Sequence, residues 1–156
     1  MMRFSRLADY AVVVMTQLAA DPGQFHNAVD TATATGLPAP TVSKIMATLA
    51  RHGLLTSHRG AKGGYALPRP AGDISVAEIV SALDGPIAIT HCVKVGPNSC
   101  EVEQACSSRF SLGRINTAVR RALENISLAE IAAPAAVIAR INAHMAPPAP
   151  APRSPA

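Results

Sequence analysis

The chain has 156 residues, a formal net charge of +4 and 49% hydrophobic residues, enough material for one core or for a small domain with a helical extension. No apolar run approaches the roughly 18 residues that a membrane-spanning helix needs. Aromatic residues are scarce (three Phe, two Tyr and no Trp), which argues against a surface that stacks single-stranded bases.

The first 70 residues carry the whole excess of positive charge. They hold seven basic and three acidic side chains, whereas the rest of the chain holds seven of each. This bias is expected of a half that faces a polyanion. The apolar run from Tyr10 to Met15 has only six residues, too few for the hydrophobic region of a signal peptide, so we expect a cytoplasmic protein without structural disulfides.

Two short helices and a longer one are predicted before residue 53. The first is amphipathic and ends at residues 21–23, the second covers residues 27–34, and Gly36 separates it from the third. The third lies within GLPAPTVSKIMATLARHG and has one apolar stripe, formed by Val42, Ile45, Met46 and Leu49. A glycine turn followed by a helix with an opposite polar, cationic face is typical of a helix-turn-helix. The alternative is an ordinary amphipathic helix with a solvated face.

The next segment, LLTSHRGAKGGYALPRP, predicts a β-hairpin. We expect strands over residues 54–58 and 65–67, and Gly60, Gly63 and Gly64 give the tip conformational freedom. A hairpin with cations at its tip, directly after a DNA-reading helix, is a winged helix; the alternative is a solvated turn. The side chains predicted to contact DNA are Arg3, Arg6, Thr41, Ser43, Lys44, Thr48, Arg51, His58, Arg59 and Lys62.

The second half is predicted to contain a capped helix, a cysteine loop and a dimerisation helix. Ser75 and Glu78 have capping-box spacing, and Ser127 and Glu130 repeat it. Between them, one narrow apolar seam points to a second copy of the chain, although packing against the chain's own core is the alternative. The seam consists of Leu112, Ile115, Val119, Ala122 and Ile126.

All three cysteines, Cys92, Cys100 and Cys106, lie within the segment HCVKVGPNSCEVEQAC. An odd number cannot pair completely within one chain. The loop composition argues against buried structural cysteines, and the gaps are wider than those of a zinc knuckle. An iron–sulfur cluster, a zinc site and a thiol–disulfide switch therefore remain open, because thiolates suit all three.

The run FSRLADYAVVVM, the wing RGAKGGYAL and the following ISVAEIVSALDG resemble the Rrf-type winged-helix transcription regulators. The resemblance covers residues 2–131 and looks closest to the IscR-like and NsrR-like members, in particular the regulators of SUF iron–sulfur assembly. It implies a mainly α fold with a small β-hairpin wing, DNA binding as a homodimer, and an iron–sulfur cluster, 2Fe-2S or 4Fe-4S, on Cys92, Cys100 and Cys106.

The chain departs from that pattern at the fourth ligand. IscR-like members have a histidine three residues after the last cysteine, where this chain has Arg109, which cannot ligate iron. NsrR-like members use an aspartate on the first helix of the other subunit, and Asp9 occupies that place. His91 is the rival candidate, although its adjacency to Cys92 makes it awkward for both side chains to meet one small cluster, and Glu101 and Glu103 are weaker candidates. Asp9 could instead complement the helix dipole.

These features predict a transcriptional repressor and not an enzyme, because no catalytic constellation is present and GAKGGY lacks the end of a phosphate-binding loop. The alternatives are a cluster-free regulator that uses its cysteines as a zinc or disulfide switch, and a protein-interaction adaptor. The expected regions are a DNA-binding domain (1–70), a connecting helix and cysteine loop (71–107), dimerisation and C-terminal helices (108–145), and a disordered Pro/Ala-rich tail (146–156).

Overall fold

The computed structural model describes residues 4–60, 63–89 and 105–133 as a helical protein with one small sheet. The elements in chain order are α1 (Arg6–Ala20), α2 (Ala28–Thr35), α3 (Ala39–Arg51), β1 (Thr56–His58), β2 (Gly64–Ala66), a 3₁₀ turn (Ala71–Asp73), α4 (Val76–Asp84), α5 (Arg109–Glu124) and α6 (Leu128–Ala132). This confirms the predicted mainly α fold with a β-hairpin wing. Within the described ranges, no helix is both long enough and apolar enough to cross a membrane.

Side-chain caps determine where most of these helices begin. The Ser5 hydroxyl accepts a hydrogen bond from the backbone N–H of Ala8 and so caps α1, and Asn27 caps α2 in the same way. Both predicted capping boxes are confirmed: Ser75 with Glu78 starts α4, and Ser127 with Glu130 starts α6. Each cap satisfies backbone donors that the first helical turn leaves unpaired.

The core lies where α1, α3 and α4 meet. The predicted stripe of α3 is wholly buried, and it packs with Val14, Met15 and Leu18 of α1. Ile74 and Ile79 from the α4 region and Leu128 of α6 complete the same cluster. The helices that precede the wing and the helices that follow it therefore share one apolar interior.

The α2–α3 pair forms the predicted helix-turn-helix. Gly36 follows α2 with a φ of 71°, a left-handed conformation that glycine adopts without steric cost. Pro38 and Pro40 then flank the start of α3, which is compatible with the missing N–H of proline in a first helical turn. The turn thus presents the polar face of α3 outward.

The wing is a two-stranded antiparallel sheet in which Ser57 pairs with Tyr65. The prediction of a strand from residue 54 was wrong by two residues, because Leu54 and Leu55 are both buried and therefore cannot alternate between the faces of a half-buried strand. Instead, the N–H of Leu54 donates to the carbonyl of Leu49 at 3.0 Å and closes the end of α3. The returning strand begins one residue earlier than predicted.

A single bridge joins the other edge of the wing to the α1–α2 connection. The N–H of His26 donates to the Tyr65 carbonyl at 2.8 Å, and the N–H of Tyr65 donates to the His26 carbonyl at 2.9 Å. Gly64 permits this approach, because a Cβ there would lie 2.6 Å from the His26 carbonyl oxygen. The wing is therefore attached to the α1–α2 connection through Tyr65 of β2, in addition to its chain connection to the end of α3.

Helix α6 returns to the start of α4. The N–H of Val76 donates to the Ile126 carbonyl at 2.9 Å, and the N–H of Leu128 donates to the Ile74 carbonyl at 2.7 Å. This pairing places the two capped helix starts side by side. The predicted tail at 146–156 lies outside the described residues.

Candidate DNA interface and cysteine segment

The polar face of α3 points away from the core. Ser43, Lys44 and Arg51 are exposed, and Thr41 and Thr48 are half-buried. A hydrogen bond of 2.9 Å from Nη2 of Arg51 to Oγ1 of Thr48 fixes the direction of the guanidinium along the helix. This face offers hydroxyl, ammonium and guanidinium donors, the groups that bind phosphates and base edges.

The wing lies beside this face, and a cleft separates the two. Lys44 and Arg51 line the cleft from α3, while Ser57 and Tyr65 line it from the wing. The structure therefore brings the predicted helix and the predicted wing into one surface, on which the cations Lys44 and Arg51 of α3 lie beside Ser57 and Tyr65 of the wing.

The remaining predicted DNA contacts have different surroundings. His58, at the end of β1, is exposed and lies against Phe25, with ring centroids 5.5 Å apart. Arg59 is exposed at the start of the wing turn. Arg6 lies at the start of α1, where it lines a different cleft with Asp9. Arg3 and Lys62 lie outside the described residues.

Asp9 is exposed in the first turn of α1. Its exposure is compatible with a ligand role, and its place at the start of the helix is equally compatible with a carboxylate that complements the helix dipole. Cys106 is half-buried just before α5. The other candidate ligands, Cys92, Cys100, His91, Glu101 and Glu103, lie outside the described residues. Among the described residues, no three Cys, His, Asp or Glu side chains come together as a metal site.

The surroundings of Cys106 suit a thiolate-bound, anionic group. Cys106 lines a groove along α5 together with Arg109, Arg114 and Arg121, whose positive charges favour a cluster of net negative charge. Three thiolates and a carboxylate are a donor set that iron accepts. The chemistry of the residues therefore fits an iron–sulfur cluster, and thiolates equally suit zinc.

The residues of the predicted dimerisation seam differ in exposure, and the last of them, Ile126, lies two residues beyond the end of α5. Ile115, Ala122 and Ile126 are exposed, Ile115 by 51%, whereas Leu112 and Val119 are half-buried. Val119 lines a cleft with Ile87 and Ile89 of its own chain. The dimer contact therefore stays a prediction: Val119 borders a cleft within its own chain, whereas Ile115, Ala122 and Ile126 are exposed.

Two polar contacts near the cysteine segment were missed by sequence reasoning. Asn116 is the buried residue of α5 and bonds to the backbone of residues 87 and 89. Asp84, at the end of α4, accepts hydrogen bonds from Ser5 at the start of α1. A signal for the first existed, since Leu112, Asn116, Val119 and Leu123 follow steps of four, three and four.

An ion pair connects the exit of the wing to α4. Arg69 donates to the carboxylate of Glu78 and to the carbonyl of Asp73. Burial alone would raise the pKa of Glu78, but hydrogen bonds from the Ser75 backbone and from Arg69 lower it by more than burial raises it. The pKa of Glu78 therefore lies below its ordinary value. The carboxylate is therefore charged at neutral pH and holds the wing base to α4.

A helix-turn-helix followed by a paired hairpin, with cations on both, defines a winged helix DNA-binding protein. The model of the Rrf2 family, described as iron-dependent transcriptional regulators, matches residues 4–134, and the chain belongs to this family. It is therefore a transcriptional regulator, and the expectation that it is not an enzyme is confirmed by this membership.

Three proteins of known name or structure are similar to the chain over most of their lengths. Rv1287 of Mycobacterium tuberculosis strain H37Rv, which carries the name of an HTH-type transcriptional regulator, is 35% identical over 84% of this chain and 81% of its own. The HTH-type transcriptional regulator IscR of Enterobacter sp. strain 638 is 30% identical over 83% of this chain and 79% of its own. The structure of CymR, the global cysteine regulator of B. subtilis, matches with a TM-score of 0.67 and 26% identity over 85% of this chain and 97% of that one.

Proposed function

We propose that this chain is a homodimeric repressor that acts in the cytoplasm on double-stranded DNA and responds to an iron–sulfur cluster. Its targets would be genes of iron–sulfur assembly or of redox and nitric-oxide stress. The observation that carries the DNA-binding part is the single surface on which Lys44 and Arg51 of α3 lie beside Ser57 and Tyr65 of the wing.

On this surface, the helix and the wing have different tasks. Thr41, Ser43, Lys44 and Thr48 read base edges in the major groove, and Arg51, already oriented by Thr48, binds phosphate. Arg59 and Lys62 of the wing neutralise the backbone, with Arg3, Arg6 and His58 as further contacts. Because α3 contacts base edges and the wing contacts phosphates, we expect α3 to determine sequence preference and the wing to determine affinity.

A second copy of the chain makes this surface symmetric. The exposed residues Ile115 and Ala122 of α5, with Ile126 just beyond its end, supply an apolar contact that a two-fold partner can bury. Two α3 helices then reach major grooves about 34 Å apart, one helical turn of DNA. Any change in the way the α5 helices pack alters that spacing.

Cys92, Cys100 and Cys106 would hold the cluster, with Asp9 of the other subunit as the fourth ligand. A bound cluster supplies iron that reacts with oxidants and nitric oxide. Cys106 lies three residues before the start of α5, and Asp9 lies on α1, whose start is bonded to the end of α4 through Ser5 and Asp84. The proposed ligands therefore belong to the elements that set the dimer contact and support α3.

A cluster-free regulator is the second candidate. The similarity to CymR, described as a global cysteine regulator, and the partly accessible thiol of Cys106 favour a regulator that uses its thiols directly or with zinc. In that case DNA binding would be the same, and only the signal would differ.

Anaerobic purification followed by an absorption spectrum separates the two candidates. A brown protein with visible charge-transfer bands, which lose intensity in air together with a change in operator affinity, supports the cluster. A colourless protein that contains stoichiometric zinc and keeps its DNA affinity in air refutes it.

Asp9→Ala then tests the fourth ligand, with Asp21→Ala, an exposed carboxylate at the other end of α1, as its control. We expect Asp9→Ala to fold and dimerise but to lose its cluster faster. Wild-type spectrum and lifetime in Asp9→Ala would leave Asp9 as a helix-end charge.

A further inference from the structure

Asn116 is unusual among the residues of α5. Most of this helix is exposed, yet Asn116 retains only 6% of its accessible surface. A buried carboxamide is costly unless its donors and acceptor are paired. The position of its partners therefore explains why a polar residue lies at this point.

The partners of Asn116 are two backbone groups of one short segment. Its Oδ1 accepts from the N–H of Ile89 at 3.0 Å, and its Nδ2 donates to the carbonyl of Ile87 at 3.3 Å. The carboxamide both accepts and donates a hydrogen bond. The N–H of one residue and the carbonyl of the residue two positions before it supply the matching donor and acceptor. An aliphatic side chain of the same size could make neither bond.

These bonds join the chain on either side of the cysteine-bearing residues. Ile89 directly precedes residues 90–104, and α5 begins soon after them, three residues beyond Cys106. The bonded residues are 27 and 29 positions apart in sequence, so Asn116 links the two flanks of the segment by a side-chain contact.

We infer that Asn116 is a positioning residue that fixes where the cysteine segment starts relative to Cys106; the inference rests on the proposed sensing function of these thiols. Holding both flanks reduces the conformational freedom of the intervening chain and so sets the effective concentration of one thiol near another. Asn116 acts through the backbone of residues 87–89 and touches no ligand itself.

The first test measures that effective concentration in the metal-free, reduced protein. In a Cys100→Ser background, glutathione disulfide oxidises the pair Cys92 and Cys106: one glutathione disulfide and two thiols give one protein disulfide and two glutathione thiols. The equilibrium constant in glutathione buffers is the effective concentration of the pair. It is compared between the folded protein and the same protein unfolded in urea.

Asn116→Leu is compared with Thr117→Val, which removes only a local hydrogen bond to the Gly113 carbonyl. We expect Asn116→Leu to shift the effective concentration at least threefold towards its unfolded value, and Thr117→Val to leave it unchanged. Equal values in the two variants, or a parent value equal to the unfolded one, would overturn the inference.

Two further readings separate this inference from the proposed function. Amide hydrogen exchange at Ile89 should accelerate in Asn116→Leu but not in Thr117→Val, whether or not the protein binds iron. After anaerobic reconstitution, the visible absorption should decay at least threefold faster in Asn116→Leu. If the parent protein forms no cluster, the proposed function fails; if it forms one and Asn116→Leu retains it equally long with unchanged exchange at Ile89, the inference fails.

Discussion

Ser5 and Asp84 fasten the first helix to the fourth. The backbone N–H of Ser5 donates to Oδ2 of Asp84 at 3.0 Å, and the Ser5 hydroxyl donates to Oδ1 while accepting from the N–H of Ala8. A carboxylate at the end of α4 is unfavourable to that helix by itself, since the dipole there is negative. The position of Asp84 is explained by what it holds, which is the N-terminal cap of α1.

We expect Asp84→Ala to lower the free energy of unfolding by about 1 kcal/mol, because hydrogen bonds to a charged group are lost while an unfavourable helix-end charge is removed. Urea denaturation measures the change. Asp73→Ala, at another exposed carboxylate, is the control and should change stability less. Equal stability of the two variants would mean that the Ser5 contact contributes nothing.

Gly64→Ala should destabilise the wing base. The added Cβ would lie 2.6 Å from the His26 carbonyl oxygen. The nearest atoms all belong to the backbone, which cannot rotate away as a side chain could. We expect a loss of about 1–3 kcal/mol, as is common when a tight contact is overfilled. Gly72→Ala provides the matched control, since open space surrounds its Cβ position. Thermal unfolding of the two variants at one pH checks this, and equal midpoints would contradict the close approach.

The lowered pKa of Glu78 should make the free energy of unfolding depend on pH. Its pKa in the folded protein lies below the ordinary value of 4.5, so its favourable contribution is present above pH 4.5 and is lost as the pH falls below it. Wild type should therefore exceed Glu78→Gln in stability near neutral pH, by at most about 1 kcal/mol because the Arg69 pair is half-exposed. The difference should shrink on acidification.

Arg69→Leu is the control for the Glu78 prediction. In that background, the effect of Glu78→Gln at neutral pH should be smaller, because the ion pair is already absent. A stability difference that stays constant from pH 7 to pH 3 would show that the charge of Glu78 plays no part.

Arg59→Ala should weaken binding to operator and to random duplexes alike. A cation that neutralises one phosphate contributes about 0.9 units to the salt dependence of the logarithm of the binding constant, so the slope should fall by about that amount. Lys62→Ala should behave in the same way. Arg120→Ala, which removes an arginine already paired with Glu124 on α5, is the control. An unchanged slope in Arg59→Ala would separate the wing from the DNA interface.

Ile115→Glu should give monomers without unfolding the chain. Ile115 is 51% exposed, so the charge costs little in one subunit but becomes buried in the proposed dimer contact. Sedimentation velocity measures the state, and circular dichroism checks the fold. Val29→Glu, at a 66% exposed position on α2, serves as a control for a surface charge. Dimers that persist in Ile115→Glu would move the interface away from this face.

The periodic parts of this fold were predictable from sequence. The apolar stripe of α3 is buried at every predicted position, and both capping boxes form, because each depends on residues three or four apart. The wing was recognised from its glycines and cations. Its first strand was predicted too long because Leu54 and Leu55 resemble strand residues, whereas both belong to the core beneath α3.

Contacts between distant polar residues were not predictable in the same way. Nothing local pairs Ser5 with Asp84, or Asn116 with Ile89, since each bond joins elements brought together only by the tertiary fold. The sequence left two alternatives open for the α5 seam for a related reason. Val119 satisfies the spacing of a dimer seam and of a stripe that packs within its own chain alike, and only the tertiary fold places it beside Ile87 and Ile89.

Helix α6 bears on the order in which the chain can be completed during synthesis. Leu128 has no exposed surface and belongs to the same buried cluster as Val14 of α1 and Ile45 of α3. When the ribosome has synthesised only the helix-turn-helix and the wing, Leu128 is still missing, although it belongs to the core that these elements share. Apolar surface on α1 therefore stays open to solvent or to a chaperone until residue 128 emerges, and the last described helix is the one that finishes the DNA-reading half.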